Sequence, residues 1–154
     1  MDAIALLKAD HEKVKAILRE LEPTTERAVK TRVELFSKLK NELTVHEIIE
    51  EEIFYPTLKQ HPKAKDIVLE AYEEHNVVDT LMSELENLDV SDETWGAKAT
   101  VMKENIEHHI EEEEGEMFPK ARSVFDRAEL EDLGARMERR KASAQQELGV
   151  PASR

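Results

Sequence analysis

The chain contains no cysteine. Disulfides, thiolate zinc sites, cysteine-ligated iron–sulfur clusters and thiol catalysis are therefore excluded, and any bound metal must be held by nitrogen and oxygen. Glycine and proline are scarce, at four and five residues, and aromatics make up 5% of the 154 residues. A sheet protein, with its many turns, would need more glycine and more β-branched residues, so this shortage favours long helices. Basic residues are also too few for a phosphate-backbone binder: 22 Lys and Arg face 35 Asp and Glu, a net charge of −13. Nucleic acid and anionic membrane surfaces are not expected as partners. No apolar run approaches the ~18 residues of a membrane span. The opening Met1-Asp2-Ala3-Ile4 lacks the basic stretch and long apolar core of a signal peptide, so a cytoplasmic location is expected.

What is present is periodic. Ile4, Leu7, Val14, Leu18 and Leu21 recur at helical spacing and predict a helix over residues 2–21, closed by Pro23. Thr24 or Thr25 can cap a second helix through Leu35, Leu39, Leu43 and Ile53 to about Gln60. Pro62 opens a third, with Val68, Ala71, Val78, Met82 and Leu85. Ser91 and Asp92 resemble the start of a fourth, which carries Trp95, Met102 and Ile106 and is expected to end near Pro119. Asp126 and Glu129 have capping-box spacing ahead of Leu130, Leu133 and Met137. Short links between long helices imply an all-α fold, an antiparallel up-down four-helix bundle with a short additional C-terminal helix. The expected division is a bundle over 1–121, a C-terminal helix over 122–147 and a frayed tail over 148–154. The arginines of the C-terminal region, Arg140 among them, suit docking on the acidic bundle or on a second subunit.

The two halves repeat one pattern. His46 is followed by Glu50 and then by Phe54-Tyr55-Pro56; His109 is followed by Glu113 and then by Met117-Phe118-Pro119. In both, Glu is four residues after His and Pro is ten after it. His11 precedes His46 by 35 residues, and His75 precedes His109 by 34. The flanks agree as well, His11, Val14, Leu18 and Leu21 aligning with His75, Val78, Met82 and Leu85.

A single HxxxE would mean little in a chain with 27 Glu among 154 residues. The histidines' placement carries more. At about 100° per residue, Ile4 and Leu18 fall within about 20° of His11, Leu39 of His46, Val68 and Met82 of His75, and Met102 of His109. One histidine from each helix thus points into the apolar interior, with Glu50 and Glu113 a turn further on. Two carboxylates and four imidazoles in one core would cost several kcal/mol per ionised group unless compensated. Bound cations compensate them. His108 and Glu112 offer a rival register, but His108 lies about 100° off the apolar stripe.

The doubled H…HxxxE pattern closely resembles the hemerythrin-like (HHE cation-binding) domains, over about residues 4–120. The resemblance implies two non-haem iron ions, oxo- or hydroxo-bridged. Glu50 and Glu113 would span both, His11 and His46 would bind one, and His75 and His109 the other. Oxygen-carrying hemerythrins have HxxxH on the third helix, where this chain has Asp79 four residues after His75, and their fourth-helix carboxylate lies five residues after the histidine rather than four. Those departures point away from oxygen transport. Some family members use the acid directly after the second histidine, which makes Glu47 a further candidate. Tyr72, one turn before His75, is the candidate catalytic residue, as a hydrogen-bond donor or ligand.

Nitrogen and carboxylate donors by themselves suit Fe, Mn, Zn or Co, and iron rests on the resemblance. The Glu-x-x-His signature of ferritin-like di-iron bundles is absent, as is the HExxH of zinc proteases. Three functions remain: an enzyme breaking down peroxide or reducing oxygen in oxidative-stress defence, a module that binds or senses oxygen, nitric oxide or iron, and a structural bundle with adventitious metal. The expected ligand is hydrogen peroxide, oxygen or nitric oxide, and the expected assembly a monomer or weak homo-oligomer.

Overall fold

The computed structural model describes residues 1–150, and among them there is no strand. Helix α1 (Ala3–Leu21) begins on Asp2, whose carboxylate accepts from the Ala5 N–H at 2.8 Å. Helix α2 (Val29–Ile49) runs into a π-helical turn (Glu50–Phe54) and then α3 (Tyr55–Lys59). After a 3₁₀ turn at Pro62–Ala64 comes α4 (Lys65–Glu86), and then α5 (Glu93–Glu112), capped by Asp92. A second π-helical turn (Glu113–Met117) leads into α6 (Phe118–Val124), and α7 (Arg127–Glu147) starts on the full Asp126/Glu129 capping box.

Three boundaries differ from expectation. Neither Thr24 nor Thr25 caps α2. The Thr24 hydroxyl is spent on the Leu21 carbonyl that α1 leaves free, at 2.6 Å, and a turn at Thr25–Ala28 delays the helix to Val29. The helix carrying His109 does not stop at Pro119. A proline inside an α-helix removes one hydrogen bond and clashes with the carbonyl four residues back. The widened π turn before Pro119, like that before Pro56, relieves the clash, and the chain continues helical to Val124. Leu148–Val150, expected to fray, close α7: Gly149 at φ 69° lets its N–H reach the Gln146 carbonyl and the Val150 N–H reach that of Gln145. The rest of the expected frayed tail, residues 151–154, lies outside the described residues.

Helix α1 packs on α2, α4 on α5, and α7 lies across α1 and α2. The apolar side chains form two clusters. One gathers Ile4, Leu7, Ile49, Phe54, Leu58, Val68, Phe118 and Met137; the other gathers Val14, Leu18, Leu39, Leu43, Val78, Met82, Leu85, Trp95, Met102 and Ile106. Each such side chain contributes about 1.5–3 kcal/mol when fully buried. On α1, α2 and α4 a histidine falls in the sequence gap between the two clusters, and at the end of α5 His109 stands at the edge of that gap, next to Ile110. The apolar core is interrupted at one level, and that level is polar.

Candidate metal centre

The six residues singled out by the repeat, His11, His46, Glu50, His75, His109 and Glu113, are all buried. The structure brings them together at the interruption in the core. Glu50 Oε1 lies 3.2 Å from His46 Nε2 and 3.1 Å from His75 Nε2. Glu113 lies 3.0 Å from His11 Nε2 and 3.4 Å from His109 Nε2. Each glutamate thus touches one histidine from either half of the chain. The rings pair within the halves, His11 with His46 at 5.1 Å between centroids and His75 with His109 at 4.9 Å. Two donor groups result, His11/His46/Glu50/Glu113 and Glu50/His75/His109, joined at Glu50. The rival His108 is 68% exposed, with Glu112 and Glu74 beside it at the surface.

Every one of these histidines turns its other nitrogen outward onto a carboxylate. Nδ1 of His11 meets Glu114 at 2.7 Å, His46 meets Asp10 at 3.0 Å, His75 meets Glu51 at 2.7 Å and His109 meets Glu74 at 2.6 Å. An imidazole N–H on a carboxylate fixes ring and tautomer and leaves the Nε2 lone pair facing inward. Sequence reasoning missed these four acids. A signal was present: the repeat extends one residue each way. Asp10-His11 matches Glu74-His75, and Glu50-Glu51 matches Glu113-Glu114. In each half the acid before the first histidine holds the second, and the acid after the glutamate holds the first histidine of the other half.

The donor set fits cations. Nitrogen lone pairs and carboxylate oxygens face one another in a buried interior, and His46 Nε2 and both oxygens of Glu50 have no hydrogen-bond partner despite their burial. Orphan buried polar atoms of this kind are rare, because each forfeits its solvation. Without metal, protons take the cations' place. Burial alone would lower His75, but the carboxylates of Glu50 and Glu51 beside it and the charge of Glu47 raise it to about 10. His46 and His109 are raised well above the usual imidazole range against the same opposition. Burial likewise pushes Glu113 up, yet the charge of His109 and the hydrogen bonds around it hold it well below the usual carboxylate range.

Tyrosine enters from an unexpected position. Tyr72 donates to the Glu51 carbonyl at 3.4 Å and packs its ring on Tyr55, 5.2 Å away between centroids. It is Tyr55 that reaches the centre: its buried hydroxyl donates to Glu113 and lies 3.3 Å from His75 Nε2 and 3.4 Å from His109 Nε2. Burial, with the charges of Glu113 and Glu50, keeps its proton on by raising the phenol well above its ordinary range. Phe118, the matching residue of the other half, stacks on His11 at 5.8 Å. Glu47 shares a hydrogen bond with exposed Asp79, and burial with that bond pushes it to about 9, although the charge of His75 opposes the rise. Beside the centre is a cavity of about 20 Å³ lined by the four histidines, Val14, Leu43, Glu47, Val78, Ile106 and Ile110.

A chain that is helical throughout its long described elements and buries two joined histidine–carboxylate groups has the donor set of a helical cation-binding domain. The chain belongs more particularly to the hemerythrin HHE cation-binding domain family, whose model matches residues 2–121. It is 31% identical over 141 residues to the uncharacterized protein Rv2633c of Mycobacterium tuberculosis, covering 89% of this chain and 83% of that one. The crystal structure of a hemerythrin HHE cation-binding domain-containing protein, the Rv2633c homolog from Mycobacterium kansasii, superposes with a TM-score of 0.81 at 30% identity, covering 99% of this chain and 95% of that chain. A Nostoc protein named DNA nickase is 23% identical over 148 residues; the match takes in 96% of this chain but spans only 41% of that protein's length.

Proposed function

We propose that the chain holds two non-haem iron ions at this centre and reacts there with peroxide or oxygen, its main activity being peroxide breakdown. The observation that carries the reading is the inward convergence of four histidine Nε2 atoms on two buried glutamates, with a carboxylate behind every ring. His11 and His46 would hold one ion, His75 and His109 the other, and Glu50 and Glu113 would span both. Membership of a cation-binding family supports the reading. When bound, a pair of irons supplies the two-electron redox capacity that peroxide or oxygen chemistry requires.

The chain's own residues supply the rest. Val14, Leu43, Val78, Ile106 and Ile110 keep the adjoining cavity apolar, and about 20 Å³ admits a molecule of a few atoms and no organic substrate. Tyr55 holds a proton at its hydroxyl on one side of the centre only, where cleaving an O–O bond needs one. Two peroxides become two waters and one dioxygen, so no outside reductant is called for. The same cavity favours a second reading, reversible binding or sensing of oxygen or nitric oxide, because an apolar lining suits a neutral diatomic.

The up-down antiparallel four-helix arrangement, with α7 added, belongs to the same proposal. The reversed order of the two apolar clusters along successive long helices supports it. So does a cytoplasmic setting without nucleic-acid or membrane partners, as a monomer or weak homo-oligomer. Supporting it are the net charge of −13 and the lack of any described helix long and apolar enough to cross a membrane.

The test is oxygen evolution on adding peroxide to iron-loaded protein, with metal-free protein and His75→Ala as controls and iron per chain measured alongside. About two irons per chain, near-ultraviolet absorption and oxygen release are expected. One metal per chain refutes the paired centre. A stable, reversible oxy spectrum without turnover replaces the first reading with the second.

A further inference from the structure

We propose that Lys141, on helix α7 and beyond the residues matched by the family, is a positioning residue for His46, acting through Asp10. The proposal rests on the reading that His46 holds metal. Lys141 Nζ donates to Asp10 Oδ1 at 2.6 Å, and Asp10 Oδ2 faces His46 Nδ1 at 3.0 Å. Lysine is seldom buried unless paired, yet Lys141 is 8% exposed and Asp10 2%. Its place follows from α7 itself, where Leu130, Leu133, Met137, Lys141 and Ala144 recur on the buried face.

This arm of the centre differs from the other three. The side chains of Glu51, Glu74 and Glu114 are 38%, 24% and 31% exposed, so water shares their charge and leaves them room to move. Asp10 has no such recourse. With Lys141 on one oxygen and His46 on the other, its carboxylate is neutralised and held in a single orientation, and the imidazole keeps Nε2 inward. Without the ammonium, a buried carboxylate would face only an imidazole N–H. It would then swing toward water or take up a proton, and in either case His46 would lose its hold. Removing the outer partner of a metal-ligating histidine weakens metal affinity by roughly 10–100-fold, and the loss should fall on the position that His46 serves.

The experiment compares full-length wild type, Lys141→Met, Lys141→Arg and the double variant Asp10→Asn with Lys141→Met, all loaded with ferrous iron. Removal of iron by a ferrous chelator and the near-ultraviolet spectrum are the readouts. Lys141→Met should release one of its two irons roughly tenfold faster and shift the spectrum, and Lys141→Arg, which keeps the charge, should recover toward wild type. If Lys141→Met does not fold, the double variant, with no buried charge left unpaired, carries the same expectation. Arg140→Gln, which loosens α7 by removing its ion pair with Glu52, should leave release unchanged. A Lys141→Met or double variant that releases both irons at the wild-type rate with an unaltered spectrum overturns the proposal, whatever its melting temperature. Wild type that takes up no iron instead removes the reading beneath it.

Discussion

His46 and His108 each have a glutamate four residues on, but only one of them is enclosed. His46 is flanked by Asp10 and Glu50 in the core, whereas the side chain of His108 is 68% exposed. His46→Ala and Glu113→Ala should therefore lose iron and melt at lower temperature, because metal bound to the folded state adds to folding free energy. His61→Ala and His108→Ala should do neither; His61 only rests its ring on Phe125 at 5.2 Å. Iron analysis beside thermal melting decides, and a His108→Ala protein without iron would reassign the centre. The six core residues were legible because duplication made one sparse pattern visible twice. Their carboxylate partners were not, because in a chain with 27 Glu any acid beside a histidine passes for solvated surface. Tyr55 was hidden by geometry: the π turn bonds its N–H to the Glu50 carbonyl five residues back, setting it over Glu50 where a uniform helical wheel does not. Tyr55→Phe should keep two irons per chain yet lower the peroxide turnover about a hundredfold, the low end of what losing a positioned proton donor costs. Tyr72→Phe should leave turnover unchanged. Equal losses in both variants would return the role to Tyr72 or to neither.

Among the elements, those announced by a local signal were readable and those set by packing were not. The capping box of α7 and the Asp92 cap of α5 stand in the sequence as short polar motifs. The π turns have no such motif beyond the prolines that follow them, Pro56 and Pro119, and the second of these reads more simply as a stop. The seating of α7 was hidden as well, since it depends on a glycine meeting a distant backbone. A Cβ at Gly134 would lie 2.3 Å from the Met1 carbonyl oxygen and 2.9 Å from the Ala3 nitrogen. These are backbone atoms at the start of α1 and cannot turn aside as a side chain would. In an open helix Gly→Ala would stabilise by about 1 kcal/mol. Here the overlap forces α7 away from α1, and overpacking of this kind costs about 1–3 kcal/mol. Gly134→Ala should accordingly lower the urea midpoint of the metal-free protein. A raised midpoint would mean that the start of α1 yields without cost and that α7 is not seated there as described.

For the whole molecule, the same polar level must serve two states, one held by protons and one by metal, and pH acts on them in opposite senses. In the metal-free protein, the surrounding carboxylates raise His75 from the ordinary imidazole value of 6.5 to about 10, and His46 and His109 are displaced in the same direction. A group whose pKa is raised by folding stabilises fully below its unfolded value, and that stabilisation is lost as pH rises through the folded value. The metal-free protein should therefore weaken between about pH 6.5 and about 10. Iron takes the imidazoles in their deprotonated form, so loading releases protons and strengthens as pH rises. Ligand at a thousandfold above its Kd adds about 4 kcal/mol per site, and in a domain of this size each kcal/mol moves the melting temperature by roughly 2–4 °C. The gap between the melting temperatures of loaded and metal-free protein should widen steadily across that window and narrow in mild acid. Paired melting curves at several pH values, with proton release on iron addition followed by an indicator dye, measure both halves of the exchange. A gap that stays constant with pH, or loading without proton release, would mean that protons do not occupy the centre when metal is absent. The orphan lone pairs of His46 and Glu50 would then have to be satisfied in some other way.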